Sequence, residues 1–306
     1  MKHKKIIFTS IVVALIVATL ILIYLWCRNA YYACNETIDY SAFEAFGSFY
    51  GGVIGTFFVV IGVIVAFNTY QSQTKAQKKE QIESRFFELL QLHQENVIVL
   101  KNIDTDIFNI YIKLVRYFQV AISKYNVLNK KNWNPEDILK LSYLYFFYGS
   151  KELSPDRLGG IGIEFAEIKV LNLYFENQGY EYTPTYKDYG IYFRQLFQTV
   201  KYIDEKKILT YQEKYDYIKI LRARLNVEEQ YLLFLNSLVA SGVKWEDGNR
   251  LKNDKLITKY NLIKNIPKGF TQINGLSFYD KYKDVYYEFQ GEVELKKREE
   301  FVKNYS

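Results

Sequence analysis

IIFTSIVVALIVATLILIYLWC (residues 6–27) and FGSFYGGVIGTFFVVIGVIVAF (residues 46–67) decide the fold of this 306-residue chain. A helix needs about 20 apolar residues to cross a hydrocarbon core of ~30 Å, and each run is long enough. No comparable run follows in residues 68–306. Lys2, Lys4 and Lys5 precede the first run as they would in a signal peptide. That run is longer than a usual signal-peptide core, however, and its end, Tyr24-Leu25-Trp26-Cys27-Arg28, lacks a small-x-small cleavage site, so it reads as an anchor.

Working outward, basic residues beside the spans set the orientation, because Lys and Arg near a span tend to stay cytoplasmic. Lys2, Lys4 and Lys5 lie before the first span, and Lys75, Lys78, Lys79 and Arg85 after the second. The stretch between them holds Glu36, Asp39 and Glu44, with Arg28 alone at its edge. The expectation is an all-α protein of the cytoplasmic (inner) membrane: a two-helix transmembrane hairpin over residues 1–73, with both termini cytoplasmic. A cytosolic helical domain over 74–268 and a C-terminal extension over 269–306 complete it. Both cysteines, Cys27 and Cys34, fall at the outer end of the first span and in the outer loop, where a disulfide has only weak support.

Gly47, Gly51 and Gly55 recur four apart in the second span, with Gly62 further on. Small residues at this spacing let helix backbones approach closely. The face either packs on the first span of the same chain or joins two copies into a homo-oligomer.

The formal charge is +6. Residues 1–85 carry Lys2, Lys4, Lys5, Arg28, Lys75, Lys78, Lys79 and Arg85 against Glu36, Asp39, Glu44, Glu80 and Glu83, which is +3 and leaves +3 on the rest. A nearly balanced soluble domain argues against a nucleic-acid binder whose whole surface is basic. Arg250, Lys252, Lys255, Lys259, Lys264 and Lys268 against Asp254 make one local basic stretch. It is either a solvated helix face or a contact for anionic lipid or nucleic acid. The 29 Tyr and 22 Phe, in a chain also rich in Ile, Lys and Asn, are read mainly as core.

Beyond the spans, apolar residues recur at helical spacing: Ile82, Phe86, Leu89, Leu90, Val97 and Leu100, then Ile107, Ile110, Tyr111, Leu114, Phe118 and Ala121. The second span is therefore expected to run on into the domain. Asn134-Pro135-Glu136-Asp137 predicts a helix start, with Asn as cap and Pro in the first turn, and the helix should reach about Tyr148. Gly159, Gly160 and Gly162 complete no phosphate-binding loop and predict a turn. Phe193, Leu196, Phe197, Val200 and Ile203 form one apolar stripe flanked by Arg194, Gln198 and Lys201. A helix from about Thr210 to Leu225 follows, and then Asn226-Val227-Glu228-Glu229, a near capping box.

The string Tyr192-Phe193-Arg194-Gln195-Leu196-Phe197, then Lys201-Tyr202-Ile203-Asp204 and Leu221-Arg222-Ala223-Arg224-Leu225, resembles the core of phage abortive infection proteins of the AbiC type. Phe49-Tyr50-Gly51-Gly52, and Arg85-Phe86-Phe87-Glu88-Leu89-Leu90 with His93 and Glu95-Asn96-Val97, are similar to that family's membrane-to-domain junction. These blocks span roughly residues 46–265. The resemblance implies a bacterial, membrane-anchored defence protein that stops phage propagation, usually at the expense of the infected cell. Family members often carry His before the Tyr-Phe-Arg string; Ile191 stands here, so histidine chemistry at that place is not expected.

The residues themselves point to no reaction. His3 and His93 are the two histidines, and the cytosolic part has no Cys, so neither a zinc site nor a Ser-His-Asp set is expected. The Arg-x-x-x-x-His arrangement of HEPN-type nucleases is missing after Arg222 and Arg224. His93 is expected as a hydrogen-bonded core or interface residue. Arg194, Lys201, Arg222 and Arg224 are the best candidates for binding if their helices pack side by side. They either hold a phosphate, nucleotide or acidic partner segment, or pair with Asp204, Glu213, Asp216 or Glu228. No catalytic group, metal or cofactor is assigned. The expected function is recognition of a phage product or cellular signal; the alternative is an anchored enzyme acting on nucleic acid or nucleotide, and a tethered scaffold is a third class.

Overall fold

The computed structural model describes residues 12, 16, 19–20, 23–24, 26–28, 40–179, 186–246, 255–270 and 277–303. Every regular element among them is helical, and no strand occurs among the described residues. The chain divides into two units, Met1–Thr74 and Lys75–Ser306.

In the first unit, helix α1 (Tyr40–Phe49) leads through a π-helical turn (Tyr50–Gly55) into α2 (Thr56–Lys101), which continues into the second unit. The described part of α1 thus lies ahead of the apolar run at residues 46–67. Phe57, Val59, Val60, Val63, Ile64 and Phe67 are all exposed, Val59 and Val63 at 64% and 63%. Apolar surface left uncovered all round a helix is costly in water and at home in hydrocarbon. The hydroxyls of Thr69 and Thr74 donate to the carbonyls of Val65 and Tyr70, at 2.8 and 2.9 Å, so these side chains need no water partner.

One helical stretch among the described residues, Gly51–Lys101, is long and apolar enough to cross a membrane. Of the first apolar run, only scattered residues are described, all helical. The structure therefore defines one candidate span where the sequence predicts a hairpin of two. Cys34 lies outside the described residues and Cys27 is exposed. A Cβ at Gly47, Gly51, Gly52 or Gly62 would meet no described atom within 4 Å, so these four glycines have no neighbour on that side among the described residues.

In the second unit, α2 from Lys75 onward buries Ile82, Phe86, Leu90, His93 and Leu100. Helices α3 (Ile107–Leu128) and α4 (Pro135–Tyr148) form the most extensive pair. The Asn134 side chain accepts from the Glu136 backbone N–H at 2.9 Å, and Gly149, at φ 70°, ends α4 with a conformation that suits glycine. A 3-10 turn (Pro155–Leu158) and α5 (Phe165–Asn177) follow, with Gly160 at φ 79° where the glycine-rich turn is predicted.

Helix α6 (Tyr186–Asp204) packs on α4 and on α7 (Tyr211–Arg222), and α8 (Val227–Ser237) packs on α3 and α4. Complete capping boxes start two of these: Thr210 with Glu213 for α7, and Asn226 with Glu229 for α8. A 3-10 turn (Val243–Trp245), α9 (Leu256–Tyr260), α10 (Phe278–Lys281) and α11 (Glu292–Lys303) complete the domain. Residues 277–303 share its core, since Phe278, Val285, Tyr287 and Arg298 are all buried.

Candidate aromatic and cationic cleft

A cleft of about 710 Å³ opens where the end of α4, the middle of α6 and the chain after α8 meet. Its wall is aromatic: Phe147 and Tyr148 from α4, Phe193 and Phe197 from α6, and Trp245 from the 3-10 turn. Trp245 is 2% exposed and meets Phe197 edge-on, with ring centroids 5.0 Å apart. Arg194, Gln198, Asn236, Ser241 and Lys244 supply the polar lining. No carboxylate lines the cleft among the described residues, and neither Arg194 nor Lys244 forms an ion pair there.

Local packing explains how this wall is held. The amide of Asn236, a buried residue, donates to the Tyr143 hydroxyl at 3.1 Å, and Tyr143 stacks on Phe147 at 5.8 Å. The chain then folds back at Gly242 so closely that a Cβ there would collide with the carbonyl oxygen of Asn236. Only glycine fits this approach, which places Lys244 and Trp245 beside α6. On α6, Arg194 and Gln198 lie one turn apart and are both exposed.

The four cationic residues singled out from the sequence do not converge. Arg194 alone lines the cleft. Lys201 lies 3.6 Å from Glu205 and 5.7 Å from the centroid of the Phe197 ring, and Arg224 is exposed beyond the end of α7. Arg222 is 6% exposed and donates to the carbonyls of Tyr260 and Asn261, at 3.0 and 3.3 Å, and to the Tyr215 hydroxyl at 3.4 Å. Burial raises the Tyr215 phenol, and the bond and charge from Arg222 bring it below its ordinary range. Two of the four acids proposed as partners are engaged elsewhere: Asp204 with Lys259 at 2.5 Å, and Glu213 with Lys79. Lys259 is accordingly buried rather than part of a solvated basic face, while Arg250, Lys252 and Asp254 lie outside the described residues.

Arg298 completes the work of Arg222. It donates to the carbonyls of Thr258 and Lys259, at 2.8 and 2.6 Å, and to Asn261 Oδ1 at 2.9 Å. The last carbonyls of a helix have no partner within it, and α9 ends in the core. Two arginines from α7 and α11 therefore cap α9, with Asn261 in the left-handed conformation at φ 52°.

His93 sits in the core, 4.8 Å from the Tyr192 ring, and its Nδ1 has no hydrogen-bond partner among the described residues. Burial lowers its pKa to about 4, so it is neutral at physiological pH. Tyr192 donates to Glu229 at 3.1 Å, and burial raises the carboxyl of Glu229. A second cavity, of about 340 Å³, is bordered by Glu136, Lys140, Glu246, Lys255 and Lys281. Glu136 is bridged there by Lys140 and Lys281, at 3.0 and 2.8 Å, and burial pushes Glu246 up to about 7. No group of three His, Cys, Asp or Glu residues suited to a metal occurs among the described residues.

Sequence reasoning found Arg194 but missed Lys244 and Trp245. The available signal was the Gly242-Val243-Lys244-Trp245 string, in which a glycine precedes a cation and an aromatic. Residues 186–271 match the family model described as "Putative phage abortive infection protein", so this segment is similar to that family. The match covers the Tyr-Phe-Arg and Leu-Arg-Ala-Arg-Leu blocks but not those at 49–52 and 85–97. No curated protein and no solved structure matches the chain.

Proposed function

We propose that this chain is a membrane-anchored abortive infection protein whose helical domain recognises a phage product or cellular signal in the aromatic cleft and then limits phage propagation. One observation carries this. Apart from Phe147 and Tyr148, every residue lining the cleft lies within the segment similar to the abortive infection family. The cleft offers cations, ring faces and amides, which suit recognition, and the protein acts by binding rather than by its own catalysis.

The uncovered apolar surface of Phe57 to Phe67 supports anchoring. In the proposed topology residues 6–27 form a second span, both termini are cytoplasmic, and the location is the inner membrane. Gly47, Gly51, Gly55 and Gly62 are the proposed contact between copies. The anchored helices, or an effector recruited to them, deliver the response.

The test is phage challenge of cells producing the wild type, an Arg194→Gln/Lys244→Gln variant, and a Val60→Lys/Ile64→Lys variant. Phage yield should fall with the wild type only; membrane fractionation should recover the wild type and also the lysine variant, which keeps the proposed span at residues 6–27 but should no longer protect. Unchanged phage yield with the wild type across a varied panel would refute the defence role.

A further inference from the structure

We infer that the cleft binds a nucleotide, with the base against the half-buried Phe197 ring, which Trp245 backs edge-on, and the phosphate held by Arg194 and Lys244. The inference takes the cleft as the recognition site, as above, and names the chemistry of what enters it.

The argument rests on the pairing of two kinds of surface. Among the described residues, Arg194 and Lys244 are exposed, carry no ion pair, and share a cavity that no carboxylate lines. Two cations lining one cavity attract an anion, and arginine suits phosphate because its planar fork donates two parallel bonds. An inorganic anion would leave the aromatic wall unused. A purely apolar ligand would strand two cations beside it, at a desolvation cost.

A planar base joined to a phosphate satisfies both surfaces. Bases stack on aromatic side chains whatever their sequence, and arginine adds attraction to a ring face. Gln198 and Ser241 provide amide and hydroxyl groups able to bond the edge of a base or the hydroxyls of a sugar. At about 710 Å³, the cleft lies inside the usual range of small-molecule pockets.

The wall is also fixed in advance. Tyr143 holds Asn236, Asn236 seats Gly242, and that turn sets Lys244 and Trp245 against α6. A preformed site spends less of its binding energy on ordering side chains. The second cavity lacks this character, since its cations Lys140 and Lys281 are already engaged by Glu136.

Trp245 provides the readout. The full-length protein in detergent micelles is titrated with ATP, GTP, AMP and cyclic di-AMP while tryptophan emission is followed. Adenosine and inorganic triphosphate serve as base-only and anion-only probes. Saturable quenching by at least one nucleotide is expected, absent in Trp245→Phe. Arg194→Gln and Lys244→Gln should each weaken binding about ten- to a hundred-fold at unchanged melting temperature, and Phe197→Leu, which also loosens the packing on Trp245, about ten-fold.

Absence of binding by all four nucleotides up to about 1 mM would overturn the inference. So would inorganic triphosphate binding as tightly as any nucleotide, or affinity unchanged in both cation variants. Phage challenge with the same variants separates the two claims. Protection lost in Arg194→Gln without any nucleotide binding overturns the nucleotide and leaves the cleft as the recognition site. Nucleotide binding that is lost in Arg194→Gln while protection persists supports the nucleotide and removes the cleft from defence.

Discussion

Replacing Arg222 by alanine should unfold this domain far more readily than replacing Arg194, although both belong to the group picked out by charge alone. Arg222 is 6% exposed and serves the carbonyls of Tyr260 and Asn261. Deleting it leaves the Tyr260 carbonyl without this donor, at about 1–3 kcal/mol, and takes one donor from the Asn261 carbonyl, which keeps the Lys264 N–H at 3.1 Å and loses about 1 kcal/mol, so roughly 2–4 kcal/mol in all. The lost side chain also opens a void, but removing a buried cation recovers part of its desolvation cost, and the two corrections oppose one another. For a domain of this size each kcal/mol lowers the melting temperature by about 2–4 °C, so a fall of roughly 4–16 °C is expected. Thermal melts of the full-length protein in detergent, followed by far-UV circular dichroism, measure this directly. Arg222→Met, which keeps apolar bulk and removes the donors, should lose most of the same amount. Arg194→Ala should move the melt by no more than about 1–2 °C, as for an exposed residue in no ion pair among the described residues. A loss below about 1 kcal/mol in both Arg222 variants, or an equal loss in Arg194→Ala, would show that Arg222 does not hold α9 in place.

Three further outcomes can be checked on the same preparation. His93 has a folded pKa of about 4 against an ordinary 6.5. Its contribution is therefore fully present above pH 6.5 and lost as pH falls towards 4, by roughly 3 kcal/mol. His93→Leu should flatten the wild-type decline between those values, and parallel pH profiles for the two proteins would contradict the assignment. Gly242→Ala should cost more than about 2 kcal/mol, because its Cβ meets the Asn236 backbone, while Gly269→Ala, with no atom within 4 Å, should be nearly silent. Equal melts for these two would remove the close approach as an explanation. Deleting residues 291–306 takes away Arg298 and its bonds to Thr258 and Lys259, so the melt should fall by about as much as in Arg222→Ala. An unchanged melt in the truncated chain would mean that α11 does not support α9.

Much of the local structure was legible because its causes are local. Asn134-Pro135, Thr210 with Glu213, and Asn226 with Glu229 start helices through bonds made within four residues, and each start is found where it is predicted. The apolar spacing of Ile82, Phe86, Leu90 and Leu100 likewise identified the buried face of α2. The candidate site was legible only in part. Arg194 and Arg222 look alike in sequence, and their roles separate because α9, more than 30 positions further along the chain, brings its carbonyls to one and not to the other. Lys244 and Trp245 reach α6 through a fold-back at Gly242, a contact no periodicity encodes. Arg298, in the stretch read from sequence as an extension, bonds residues 37 to 40 positions away.

By itself, then, the order of residues determined the helical class, the apolar run in residues 46–67, the principal helix starts and the likeness to abortive infection proteins. Each depends on composition or on neighbours within a turn or two, and these forces act before the chain is folded. Tertiary structure alone decided which cations are structural and which face a cleft, that His93 is held neutral, and that the aromatic wall is assembled from α4, α6 and the turn after α8. Burial, desolvation and convergence belong to the packed molecule, because they arise only when segments distant in sequence exclude water from the same place.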